Sequence, residues 1–151
     1  MIARLLPVAA IALVLAGAAQ ATTEEAMPGV YNALQAHSDY KLKCQGCHRP
    51  DGSGDSVSNP PMNGHVARFL GVPGGRAFLA RVPGVATVDL DDARLANLLN
   101  WTLYRFDRGH LPRNFKPYSA TEISELRKQP LRAERASVRA RLIAQMPGVK
   151  F

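Results

Sequence analysis

The chain holds only two cysteines, three residues apart, with a histidine directly after the second: Cys44-Gln45-Gly46-Cys47-His48. No other stretch constrains it so strongly. On a helix, positions i and i+3 share a face, so both sulfurs can meet one partner. The next residue then brings an imidazole over the same object. A thioredoxin-like redox pair also uses C-x-x-C, but it wants a βαβ setting, and no strand pattern flanks this one. A zinc site wants four ligands, and a second cysteine pair is absent. The order C-x-x-C-H is the attachment pattern of a covalently bound haem. Read so, Cys44 and Cys47 take the two vinyl groups, His48 is the proximal iron ligand, and the expected cofactor is one haem c with its iron.

The N-terminus reads as an export signal. Arg4 precedes an apolar run from Leu5 to Ala16, broken only by Pro7, and Ala19-Gln20-Ala21 is a small-x-small site with cleavage expected before Thr22. The run is shorter than the roughly 20 residues that cross a bilayer, so an uncleaved anchor is the lesser alternative. The expected organisation is a signal peptide over 1–21, a domain over 22–130 and a basic helical extension over 131–151, in a periplasmic protein. Residues 22–151 are one domain's worth of chain. The net charge of +7 loses only Arg4 on cleavage. In an exported protein that balance points to acidic partner surfaces or anionic membrane; no nucleic-acid motif accompanies it.

Helical periodicity and Gly/Pro punctuation organise the remainder, with no internal repeat. A first helix is predicted from Tyr31 to Cys47, with Tyr40, Cys44 and Cys47 on one face. A loop rich in Gly, Ser, Asp and Pro follows from Arg49 to Asn63. Short helical turns are predicted at His65–Leu70 and Arg76–Arg81. The longest helix is predicted from Leu90 to Phe106, capped by Asp89. Another starts after Ser119, where Ser119-x-x-Glu122 forms a capping box. Leu131 to Met146 reads as a basic amphipathic helix. Period-two alternation is nowhere sustained, so the expected fold class is all-α.

With these pieces in view, residues from about Tyr31 to Arg127 resemble a class I c-type cytochrome. The likeness is carried by Tyr40-Lys41-Leu42-Lys43-Cys44-Gln45-Gly46-Cys47-His48 and Asp51-Gly52-Ser53-Gly54. It continues through Asn59-Pro60-Pro61-Met62-Asn63-Gly64, then from His110-Leu111-Pro112 to the segment Tyr118–Ile123. The resemblance implies helices packed around one haem that carries single electrons. It implies that a carbonyl of Pro60 or Pro61, on the proximal side, accepts a hydrogen bond from His48. Arg49 stands where many members have glycine. At the position where members usually present methionine as the distal ligand, this chain has His110. Met62 is the alternative ligand, His65 and Met146 are weaker ones, and a vacant distal position is the remaining reading. Two imidazoles would lower the reduction potential, whereas a thioether would raise it.

Trp101 is a candidate donor to a haem propionate, with core packing as the plainer reading. His37 reads as an exposed helix residue. The basic tail, Arg127 to Arg141, is either a packed helix with a solvated face or a docking element for an acidic redox partner or lipid. One expected haem, no second cofactor motif and no acid–base cluster indicate an electron carrier and not an enzyme. A subunit of a larger oxidoreductase and an open-site haem protein that binds or reduces a small ligand are the rivals.

Overall fold

The computed structural model describes residues 25–55, 58–146 and 148, and every regular element among them is helical. The proposed signal peptide, its cleavage site and Pro147 lie outside the described residues. Among the described residues no helix is long and apolar enough to cross a membrane.

Helix α1 spans Ala33–Lys43 and starts at Asn32, whose side chain accepts from the Gln35 amide at 2.9 Å. Lys41 and Lys43 in its last turn complement the helix dipole. The single helix expected from Tyr31 to Cys47 is broken at Cys44, whose backbone leaves the helical region at φ −122°, and α2 resumes over Gln45–His48. Arg49 then adopts φ 62°, ψ 165°, a region nearly reserved for glycine. Two bonds hold it there: its amide donates to Gln45 O at 2.7 Å, and its carbonyl accepts the Tyr40 hydroxyl at 2.5 Å. Arg49→Gly should therefore raise unfolding stability by about 1 kcal/mol, the relief of strain less the added chain entropy. Denaturant titration of the coloured protein checks this; no gain, or a loss, would show that the Arg49 backbone carries no strain.

After the Arg49–Asn63 loop come a 3₁₀ turn (Ala67–Gly71), α3 (Gly75–Arg81) and the short α4 (Pro83–Ala86), which periodicity did not reveal. The long helix is α5, Asp92–Asp107. Its cap is Asp91 instead of Asp89, accepting from the Arg94 amide at 2.8 Å. Leu90 lies outside the helix because its carbonyl is taken by the Arg127 guanidinium at 2.8 Å and its amide by Val88 O at 2.9 Å. Helix α6 covers Ala120–Arg127 and is capped by Ser119 as expected. Only half of the capping box forms, however. The Glu122 carboxylate grips Arg76 through two 2.6 Å contacts, a long-range charged pair that outcompetes the local turn.

The core lies where α5 meets α1 on one side and α6 on the other. Ala36 and Tyr40 of α1, Leu95, Leu98, Trp101, Leu103 and Phe106 of α5, and Ile123 of α6 are all buried there. A smaller second cluster joins Phe69 and Phe78, with ring centroids 5.1 Å apart, to Leu131, Leu142 and Met146. Helix α7 (Arg135–Ile143) thereby packs its apolar stripe on the body of the molecule and turns Arg135 and Arg141 outward, with Arg139 half-buried.

Candidate functional site

The site begins at the junction of α1 and α2. Cys44 closes the last α1 turn, its amide bonded to Tyr40 O, and the amides of Cys47 and His48 both return to Cys44 O at 3.1 and 2.9 Å. One tight turn thus carries both thiols and the imidazole. Cys47 is exposed and Cys44 half-buried. Burial, then the nearby Asp39 and Cys47, pushes the Cys44 thiol up to about 11. The Tyr40 phenol beneath them is pushed up to about 12, chiefly by burial, so it remains a donor to Arg49 O across the physiological range.

His48 is the most telling side chain. Burial pushes its imidazole below the ordinary range and so favours the neutral, ligating form, with the Pro60 carbonyl and the Asp55 carboxylate opposing that shift. Its Nδ1 is buried and makes no standard hydrogen bond, and the Pro60 carbonyl is the backbone group that acts on the imidazole. Of the two prolines, Pro60 is therefore the one aimed at His48, and no polar contact singles out Pro61. A buried imidazole with one nitrogen beside a carbonyl, next to two free thiols on one turn, is a donor set that fits a covalently attached haem.

The loop that presents Pro60 was only partly legible. Gly54 donates its amide to His48 O at 3.1 Å and has φ 60°; a Cβ there would come within 2.0 Å of Asn59 O. Gly52, at φ 73°, lies under the Phe106 ring, where a Cβ would meet it at 2.6 Å. Asp55 closes the loop by accepting from the amides of Ser58 (2.6 Å) and Asn59 (3.1 Å) and from the Asn59 side chain (2.6 Å). The Gly-Asp composition marked a turn. It did not reveal that these residues pack the carbonyl of Pro60 against His48, since that depends on Phe106, far along the chain.

His110 is engaged elsewhere. Its Nδ1 meets the buried Asp107 carboxylate, and its Nε2 lies 2.6 Å from the Arg68 guanidinium. Arginine only donates, so Nε2 is the acceptor and the ring proton sits on Nδ1, toward Asp107. Asp107 also accepts the Ala67 amide at 2.7 Å, and Arg68 is anchored to Gly64 O at 2.6 Å. Met62 packs against the main core two residues beyond Pro60, with its amide bonded to Gly52 O at 2.8 Å. It belongs to the loop that faces His48, on that ligand's own side. Met146 is buried in the second cluster. Trp101 sits in the α1–α5 seam, stacked on His37 at 5.5 Å and packed on Tyr40 at 5.6 Å and Phe106 at 5.9 Å.

No protein-family model matches the chain. Two curated relatives do, both of them cytochrome c-552 from Thermus thermophilus. Each is 31% identical over 107 residues, a match that takes in 59% of this chain and 82% of the first relative or 72% of the second. With that much of both relatives matched by an all-helical chain, the protein belongs to the class I c-type cytochromes, electron-transfer proteins whose cofactor is a covalently attached haem c.

Proposed function

We propose that this protein is a periplasmic one-electron carrier that accepts electrons from a dehydrogenase and passes them to a downstream acceptor. In this reading Cys44 and Cys47 form the thioethers, His48 is the proximal ligand, and Pro60 O orients His48 and makes it more basic. The observation that carries the assignment is the buried, unbonded Nδ1 of His48, one residue from Cys47, on an imidazole that the Pro60 carbonyl acts on. When bound, the haem supplies a single-electron couple. The chain's own part is to hold the imidazole neutral and leave Cys47 near the surface. Residues 1–21 are the removed signal, 22–130 the haem domain and 131–151 its extension.

The partner is a redox protein with an acidic surface, matched to the net positive charge that remains when Arg4 is lost from the full chain's +7. Lipid binding through the tail is the weaker reading. Leu142 and Met146 are buried against the body, so α7 offers a membrane charge but no apolar face.

Expression in a host competent for cytochrome maturation tests this. Coloured protein should appear in the periplasmic fraction, start at Thr22, keep its colour through acid–acetone, and cycle reversibly between two visible spectra. Membrane-bound protein with an intact Met1 start would replace the signal with an anchor. Colourless protein with a Cys44–Cys47 disulfide would sink the haem assignment.

His110 serves here as the brace of Arg68, supported by the use of both its nitrogens. His110→Ala should leave the visible spectrum and carbon monoxide reactivity as in the wild type, while lowering stability by about 1–2 kcal/mol through the lost Asp107 contact. A change to high-spin iron in that variant would restore His110 as the distal ligand.

A further inference from the structure

A second axial ligand for haem iron would normally be a histidine or a methionine. Apart from His48 the chain's histidines are His37, His65 and His110, and beyond the signal segment its methionines are Met27, Met62 and Met146. Each already has a place in the fold. The His37 ring is exposed on α1 and stacked on Trp101 at 5.5 Å. His110 is held by Asp107 at one nitrogen and by Arg68, 2.6 Å away, at the other. Met62 belongs to the loop on His48's own side, and His65 follows in the same turn, its amide bonded to Met62 O at 3.1 Å. Arg68, Asp107, Arg139 and His110 act on the His65 imidazole, whereas Pro60 and Asp55 act on that of His48. Met146 is buried in the second cluster. Met27 packs on the main core ahead of α1, its carbonyl taking the Val30 amide at 2.9 Å.

The connections at either end of α5 have little slack to bring another donor in. The chain enters α5 through Thr87-Val88-Asp89-Leu90-Asp91, which holds no histidine or methionine. One guanidinium pins that stretch: Arg127 donates to the carbonyls of Ala86 at 3.0 Å, Val88 at 2.6 Å and Leu90 at 2.8 Å. The exit, residues 108–118, is fastened to α3 and α5. Arg76 holds the carbonyls of Lys116 at 2.6 Å and Pro117 at 3.2 Å, and the Asn100 side chain takes the Tyr118 amide at 2.8 Å. Swinging His110 away to reach iron would strip the buried Asp107 carboxylate of its imidazole partner, a costly exchange.

We propose that no side chain among the described residues occupies the haem iron opposite His48, and that a small neutral diatomic molecule, of the carbon monoxide or nitric oxide kind, takes that position in the ferrous protein. The inference goes beyond electron carriage and shares with it the covalent haem and His48 as proximal ligand. Ferrous iron held by one imidazole binds such molecules well, because the access and polarity of the other face decide between ligand binding and plain electron transfer. A molecule that binds the reduced form alone stabilises it by mass action, so the potential of this carrier rises with the concentration of the diatomic.

The test uses the haem-loaded wild type in both redox states, with carbon monoxide as the probe. The ferric spectrum should be high-spin at neutral pH, and the reduced protein should take up one carbon monoxide per haem. The midpoint potential should then rise by about 59 mV for each ten-fold of carbon monoxide above its Kd. His65→Gln, His110→Ala, Met27→Leu and Met62→Leu should each bind it with the affinity of the wild type. A low-spin ferric wild type that takes up no carbon monoxide overturns the proposal. So does any one of these variants that binds it more tightly by about ten-fold or more, because removing an internal competitor frees the position. A reversible voltammetric wave from a low-spin protein would sink the open position and keep the electron carrier. Carbon monoxide uptake by a protein with no wave would keep the open position and sink the carrier.

Discussion

Replacing Cys44 and Cys47 together by alanine should yield protein that loses its colour to acid–acetone, whereas the wild type should keep one haem's mass after denaturation. The two thiols occupy a single turn whose amides converge on Cys44 O, so both thioethers form from one rigid piece of backbone. Each single variant should keep the haem through the remaining bond. In the double variant His48 alone holds it, and stabilisation by the cofactor then depends on free haem concentration, as for any reversible ligand. On dilution the double variant should lose haem and helical signal in parallel, while the wild type loses neither. His48→Ala with both cysteines intact separates attachment from ligation: the colour should survive denaturation, but the native spectrum should shift. A double-alanine protein that stays coloured through acid–acetone would show that the attachment is elsewhere.

Asn100→Leu should cost about 4 kcal/mol of unfolding stability without altering the haem spectrum. The side chain is fully buried on α5. Its amide nitrogen donates to Gly29 O and Tyr118 O, both at 3.0 Å, and its oxygen accepts the Tyr118 amide at 2.8 Å. One residue therefore ties the lead-in to α1, the middle of α5 and the entry to α6. Leucine keeps the volume but leaves three backbone groups without partners, each costing about 1–3 kcal/mol. A domain of this size is stable by only about 5–15 kcal/mol, so the urea midpoint should fall by a large fraction of its value. A loss below about 1 kcal/mol would mean that water replaces all three bonds.

Sequence alone was sufficient wherever the decisive interactions are local. The attachment motif is a matter of i, i+3 and i+4 spacing, and the Ser119 cap and all-helical character depend on a single turn or one period. What misled was competition from afar. Ser119-x-x-Glu122 reads as a reciprocal box, yet Arg76 takes the carboxylate across 46 positions. Asp89 reads as the cap in sequence, until Arg127 holds the Leu90 carbonyl and Asp91 caps the start of α5. The alignment of His110 to a ligand position says nothing of Asp107 and Arg68, which tertiary packing places against its two nitrogens. Likewise, Leu142 and Leu34 look alike in a helical stripe; one is buried on Phe69 and Phe78, and the other faces solvent. Periodicity specifies that a face is apolar, but only the packed chain decides whether the protein covers that face itself or leaves it exposed.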